Sequence, residues 1–151
     1  MKKVILAFAI LLAGLTASAQ PYNWSAGLRG GVSGLSVVGK HYLNEENSID
    51  LAASVFFGGW GFEASGLYEW NLPVADGLDF YYGPGVEVGS LPVENGSAFC
   101  LGLVGVAGLE YKFSSVPVAL FFDYRPRFTI TVGSGAGFGL VDFGLGVKYC
   151  F

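Results

Sequence analysis

The sequence predicts an all-β fold: an eight-stranded antiparallel transmembrane β-barrel after a cleaved N-terminal signal peptide. Three observations carry this. The chain of 151 residues is 52% hydrophobic yet only 13% charged, about half the charge of an ordinary soluble domain. Beyond the first 20 residues it holds no apolar stretch long enough to cross a membrane as a helix. Apolar residues instead recur at every second position, in segments of about ten residues parted by turn formers. The low charge excludes a disordered chain, and a formal net charge of −4 offers nucleic acid no basic face.

The N-terminus is set apart first. Met1-Lys2-Lys3 is a basic lead, residues 4–15 are an apolar run too short to span, and Ala17-Ser18-Ala19 supplies the small-x-small pattern of a cleavage site before Gln20. Residues 1–19 are therefore read as a signal peptide and 20–151 as the barrel domain. No cysteine follows the apolar run to take a lipid anchor. Without Lys2 and Lys3, six bases face twelve acids, a formal charge of −6 for the exported chain.

Eight strands follow, over roughly 23–33, 34–43, 48–57, 60–70, 78–90, 97–112, 116–128 and 138–151. The breaks are Asn44-Glu45-Glu46-Asn47, Gly58-Gly59, 72–77, 92–96, Ser114-Ser115 and 133–137, rich in glycine and in Asn or Asp side chains that close their own turns. The break at Ser33-Gly34 carries the weakest turn signal. In the last strand Val141, Phe143, Leu145, Val147, Tyr149 and Phe151 share one face, with Asp142, Gly144, Gly146, Lys148 and Cys150 on the other. The seventh sets Val118, Leu120, Phe122 and Tyr124 against Asp123, Arg125 and Arg127. The sixth sets Phe99, Leu101, Leu103, Leu109 and Tyr111 against Glu110 and small residues. In the fifth, Leu78, Phe80, Tyr82, Val86 and Val88 oppose Asp79, Tyr81 and Glu87. The fourth opposes Phe62, Tyr68 and Trp70 to Glu63 and Glu69; the third, Ile49, Leu51, Val55 and Phe57 to Asp50, Ser54 and Phe56. The first places Trp24, Leu28 and Val32 across from Arg29. The faces of 34–43 are left unassigned.

Alternation does not by itself say which face is inside. A secreted, soluble, lipocalin-like binding protein would turn the apolar face in, and a transmembrane barrel would turn it out. Two features favour the second. The polar face is too poor in charge and too rich in glycine for a solvated surface: Gly27, Gly31, Gly83, Gly85, Gly89, Gly102, Gly108, Gly144 and Gly146 all lie on it. With both termini on the periplasmic side, Trp24, Tyr68, Trp70, Phe80, Tyr82, Tyr111, Phe113, Tyr149 and Phe151 gather at one set of strand ends as an interfacial girdle.

The C-terminus, Gly146-Val147-Lys148-Tyr149-Cys150-Phe151, resembles the β-signal of Gram-negative outer-membrane proteins, with Gly144 where a polar residue is usual. More widely, residues 22–151 resemble the small eight-stranded outer-membrane barrels of OmpA/OmpX/OmpW type. The likeness is carried by Gly27-Leu28-Arg29-Gly30-Gly31, Lys40-His41-Tyr42-Leu43-Asn44, Gly66-Leu67-Tyr68-Glu69-Trp70, Tyr81-Tyr82-Gly83-Pro84-Gly85, Gly108-Leu109-Glu110-Tyr111-Lys112-Phe113 and Asp123-Tyr124-Arg125-Pro126. The resemblance implies a place in the outer membrane of a Gram-negative bacterium, among its lipids. It also implies insertion by the barrel assembly machinery, with Gly146, Tyr149 and Phe151 as the assembly signal, and no catalytic residue.

Eight strands make a barrel narrow enough for side chains to fill. The inward set is Arg29, Asp50, Glu63, Glu69, Asp79, Glu87, Glu110, Asp123, Arg125, Arg127, Asp142 and Lys148, expected to form an ion-pair network helped by Phe56, Tyr81 and Phe121. Eight acids against four bases leave some carboxylates wet, protonated or near the openings. The expected role is structural or small-ligand binding with a filled lumen; a narrow gated pore for small solutes is the alternative. Enzyme chemistry is not expected: His41 is the only histidine, and Ser33 and Ser36 near it form no recognisable catalytic motif. No metal or cofactor is expected, and residues 133–137 precede no helix, so they are no phosphate loop. Cys100 and Cys150 fall at opposite ends of their strands, which predicts two free thiols. Pro84 and Pro126 predict irregularities in the ladder.

Overall fold

A computed structural model describes residues 22–58, 61–94 and 96–151. The signal peptide expected over 1–19 and the cut before Gln20 lie outside the described residues, as does Gly59 of one expected turn.

Ten strand elements follow in order: β1 (Trp24–Gly31), β2 (Gly34–Tyr42), β3 (Asn47–Phe56), β4 (Phe62–Ala75), β5 (Leu78–Val93), β6 (Gly96–Lys112), β7 (Val118–Tyr124), β8 (Arg127–Thr131), β9 (Gly135–Gly139) and β10 (Phe143–Cys150). β7 and β8 both pair with β6 and form one barrel stave, and β9 and β10 form the last. β10 also pairs with β1, so the ten elements close into eight antiparallel staves. Closure is completed by Trp24 and Phe151, each of whose backbone N–H groups donates to the other's carbonyl, at 3.1 and 2.8 Å.

The seventh and eighth staves are divided because Pro126 has no N–H to give the ladder. Tyr124 opposes Phe143 and Arg127 opposes Gly139, so two residues on one stave face three on the other, a one-residue bulge. Pro84 acts more mildly: its pairing to β6 continues, whereas the β4–β5 ladder is interrupted beside it without a change of register. The fourth stave runs further than expected. Instead of breaking at Leu72 it continues to Ala75, with a register shift between Pro73 and Ala75. The turn is then Asp76-Gly77, where Gly77 has φ +75° and a Cβ would lie 2.6 Å from the Lys112 carbonyl oxygen. Asn44 closes the β2–β3 turn, its side-chain oxygen accepting from the Glu46 and Asn47 N–H groups at 2.9 and 2.8 Å.

The pairings also fix the tilt. Stepping from Leu28 through directly opposed residues gives Val37, Ala53, Ala64, Val88, Leu101, Ile130 and Ala136, whereas Leu28 itself faces Val147. A circuit thus returns about ten residues away along the last stave, the stagger of a barrel whose staves lean at about 40°.

The alternation is resolved inside-out. Leu103 and Leu145 are 62% and 64% exposed, and Leu28, Leu51, Val55, Val86, Leu101 and Phe122 share their outward face. The soluble lipocalin-like alternative required these side chains inside. The residues unassigned in 34–43 fall into line: Gly34, Ser36, Val38 and Lys40 are buried, and Leu35 and Val37 point out. The adjacent Val37 and Val38 had hidden the phase.

Aromatic residues gather at the end where β1 begins and β10 finishes, here called the near end. Trp24 stacks on His41 with centroids 4.1 Å apart, Tyr68, Trp70, Tyr82 and Phe80 form a chain of ring contacts at 5.3 to 5.9 Å, and Tyr111 meets Phe113 at 5.0 Å. Rings with an apolar body and a polar tip favour a headgroup layer. The far end carries the turns at 32–33 and 132–134.

Candidate functional site

The lumen holds the concentration of polar chemistry. Small inward residues make room for it. A Cβ on Gly144 would lie 2.3 Å from Arg29 Cζ, one on Gly146 2.2 Å from the Phe121 ring, and one on Gly108 2.6 Å from the Tyr81 ring. Glycine on the inner face is therefore the space that large inward side chains occupy.

In the far half the bases are arginines. Asp123, fully buried, accepts from Arg29 Nε at 2.7 Å and Arg125 Nε at 3.0 Å, and the Tyr81 hydroxyl donates to it at 3.3 Å. Arg127 bridges two carboxylates, Glu63 at 2.7 Å and Asp142 at 2.6 Å, and lies 3.8 Å from Glu87. The Thr129 hydroxyl donates to Glu87, and Phe56 lies beside the Arg127 guanidinium at 5.6 Å.

In the near half the bases are lysines. Lys40 Nζ lies 3.0 Å from Glu69 and 3.8 Å from Glu110, and donates to Asn71 at 2.8 Å. Lys148 Nζ lies 3.0 Å from Glu110 and 3.6 Å from Asp50. Tyr42 donates to Glu110, and Lys112 pairs with Asp79 at 2.7 Å. Phe121 lies under Lys148 and Tyr81 under Lys40, each 4.4 Å from the ammonium. Asp50 ties the halves together, because its other oxygen is 3.3 Å from Arg125 Nη2. Charges withdrawn from water are tolerable here because each acid and base of the set meets an opposite charge or a hydrogen-bond donor.

All twelve sequence-predicted lumen residues, Arg29, Asp50, Glu63, Glu69, Asp79, Glu87, Glu110, Asp123, Arg125, Arg127, Asp142 and Lys148, lie in these contacts. The reading missed Lys40, Lys112, Tyr42, Asn71 and Thr129. Lys40 and Lys112 raise the bases to six against eight acids, so the expected surplus of carboxylate shrinks to two. The missing signal was register: Lys40 stands opposite Ser25 and Asp50, and either partner would have fixed its phase.

A cavity of about 10 Å³, on the scale of one water molecule, opens in the far half among Arg29, Ser36, Glu63, Arg125, Arg127 and Asp142. Arg29 Nη2 and Asp142 Oδ1 are buried beside it, 3.5 Å apart and with no hydrogen-bond partner. His41 is on the girdle side, with Nδ1 3.0 Å from the Asn23 carbonyl oxygen, and the Ser36 hydroxyl pairs with Ser54 at 2.9 Å. Among the described residues, no three His, Cys, Asp or Glu side chains are grouped to hold a metal. Cys100 and Cys150 are buried free thiols, the first opposite Gly89 and Thr131 in the far half, the second opposite Ser25 at the near end.

The three residues read as an assembly signal lie on the closing stave. Gly146 lies against the Phe121 ring, and Tyr149 and Phe151 stack with centroids 6.2 Å apart on the outer face.

No protein-family model and no curated protein matches the sequence. Among solved structures the chain is similar to the N-terminal β-barrel domain of Pseudomonas aeruginosa OprF. That match has 18% identity and a TM-score of 0.64, and covers 87% of this chain and 100% of that domain. A de novo designed transmembrane β-barrel is also similar, at 15% identity and a TM-score of 0.58 over 89% of this chain and 100% of the design. These likenesses, with the closed ring and the outward apolar face, give the chain the fold of a small eight-stranded transmembrane β-barrel.

Proposed function

We propose that this chain is an integral outer-membrane protein of a Gram-negative bacterium, with a structural or small binding role and a lumen filled by side chains. The observation that carries the reading is the inversion of faces. Large apolar side chains cover the outside of a closed barrel, and a paired charge network occupies the inside. Such an exterior is at home in lipid and costly in water. Within the charge network of the far half, the cavity beside Arg29 and Asp142 is on the scale of one water molecule. The role is non-catalytic. Export follows from the segment 1–19, and insertion by the barrel assembly machinery from Gly146, Tyr149 and Phe151.

Fractionation tests the location. The protein should sediment with outer membrane and migrate differently in gels when unheated and when boiled; recovery from the soluble periplasm would defeat the reading. Planar-bilayer recording tests the filled lumen. The account expects no sustained conductance, and steady single-channel current would favour the pore instead.

A further inference from the structure

The near mouth of the barrel is covered by a residue that belongs to no strand. The paired register of β1 starts at Trp24, two residues after Tyr22. Tyr22 nevertheless lies half-buried across the near mouth. Its ring meets Tyr42 edge-on, with centroids 6.2 Å apart and planes at 67°, and Lys112 Nζ stands 5.8 Å from its centre. Lys112 in turn lies 4.5 Å from the Tyr42 ring and pairs with Asp79, so base, acid and two phenols make one layer over the lysine half of the lumen. Cys150, opposite Ser25 at the end of β10, faces inward at this same end and is only 3% exposed.

We propose that Tyr22 is a stopper for the near mouth, a side chain carried ahead of β1 that closes the lumen through Tyr42 and Lys112. Access to the lumen from this end is then set by Tyr22 rather than by a hairpin. Because no ladder holds that residue, its displacement is a local opening that leaves the staves intact. The proposal rests on the barrel reading above.

Cys150 reports on it. With Cys100→Ala as background, Cys150 is the single thiol of the exported chain, and its rate of reaction with a water-soluble maleimide can be followed by mass in detergent micelles. Tyr22→Ala should raise that rate by about tenfold or more, whereas Tyr22→Phe, which keeps the ring, should stay within about twofold of the background protein. If the alanine variant shows no folded band, Tyr22→Gln takes its place with the same expected increase. An alanine or glutamine variant labelled at the background rate would overturn the stopper. So would a background protein labelled as fast as the boiled chain. Heat-modifiable mobility in the same samples separates the two claims, because a background protein without a folded band counts against the barrel rather than against Tyr22.

Discussion

Placing an arginine at Leu145 tests the direction in which the staves face. Leu145 is 64% exposed and stands opposite Gly30 and Phe122 in the ladders. It lies four residues from the girdle residue Tyr149 on the same stave. A stave rising about 3.3 Å per residue and leaning at about 40° gains about 2.5 Å of height per residue. Leu145 is therefore about 10 Å above the girdle, close to the middle of an apolar band about 25 Å tall. An arginine at that depth costs about 2–4 kcal/mol. With a urea dependence of about 2 kcal/mol per molar, the unfolding midpoint in lipid vesicles should fall by about 1–2 M. Leu43→Arg is the control: Leu43 is also exposed but sits in a near-end turn, where the cost should be about 0–1 kcal/mol. Equal midpoints for the two variants would refute the depth argument. A Leu145→Arg protein within about 0.5 kcal/mol of the parent would refute the lipid-facing assignment, since that is the response of a water-exposed surface.

Three further outcomes follow from the interior and the closing stave. Asp123→Ala leaves Arg29 and Arg125 without their shared carboxylate and should lower stability by about 3–5 kcal/mol in the same titration; a loss under about 1 kcal/mol would mean that the arginines find other partners. Gly144→Ala puts a methyl 2.3 Å from Arg29 Cζ and should cost about 1–3 kcal/mol, whereas Gly30→Ala, whose nearest neighbour would be 3.9 Å away, should cost less than about 1 kcal/mol. Phe151→Ala should slow insertion measured with reconstituted assembly machinery while leaving the heat-modifiable folded band intact; unchanged insertion kinetics would remove Phe151 from the proposed signal.

The sequence revealed the inner face where charge and bulk alternate without interruption. Asp142, Gly144, Gly146 and Lys148 against Phe143, Leu145 and Val147 could be read from residue types alone, and the structure keeps that division. It failed where two neighbours are chemically alike. Val37 and Val38 point in opposite directions with the same side chain, so the face of β2, and with it Lys40 and Tyr42, needed partner strands to be seen. Strand ends were hidden for a related reason. Leu72 to Ala75 reads as a turn because it contains Pro73, but at that place proline costs one ladder bond and shifts the register rather than stopping the stave. Pairwise contacts lay further out of reach. That Arg127 bridges Glu63 and Asp142, 64 and 15 residues away, depends on the stagger of the whole ring, a sum over every hairpin. Tyr22 has no strand phase to betray it, and only the closed barrel shows that it lies over an opening.

The central claim, that large apolar side chains face lipid around the whole barrel, is tested most directly by nitroxide labels. Single labels at the positions of Leu28, Leu51, Leu103 and Leu145, in protein folded into lipid vesicles, sample four different staves. The account predicts that all four relax readily with dissolved oxygen and poorly with a water-soluble nickel chelate, the signature of lipid exposure. Labels that favour the nickel chelate, or that are immobilised and shielded from both as in a protein core, would contradict it.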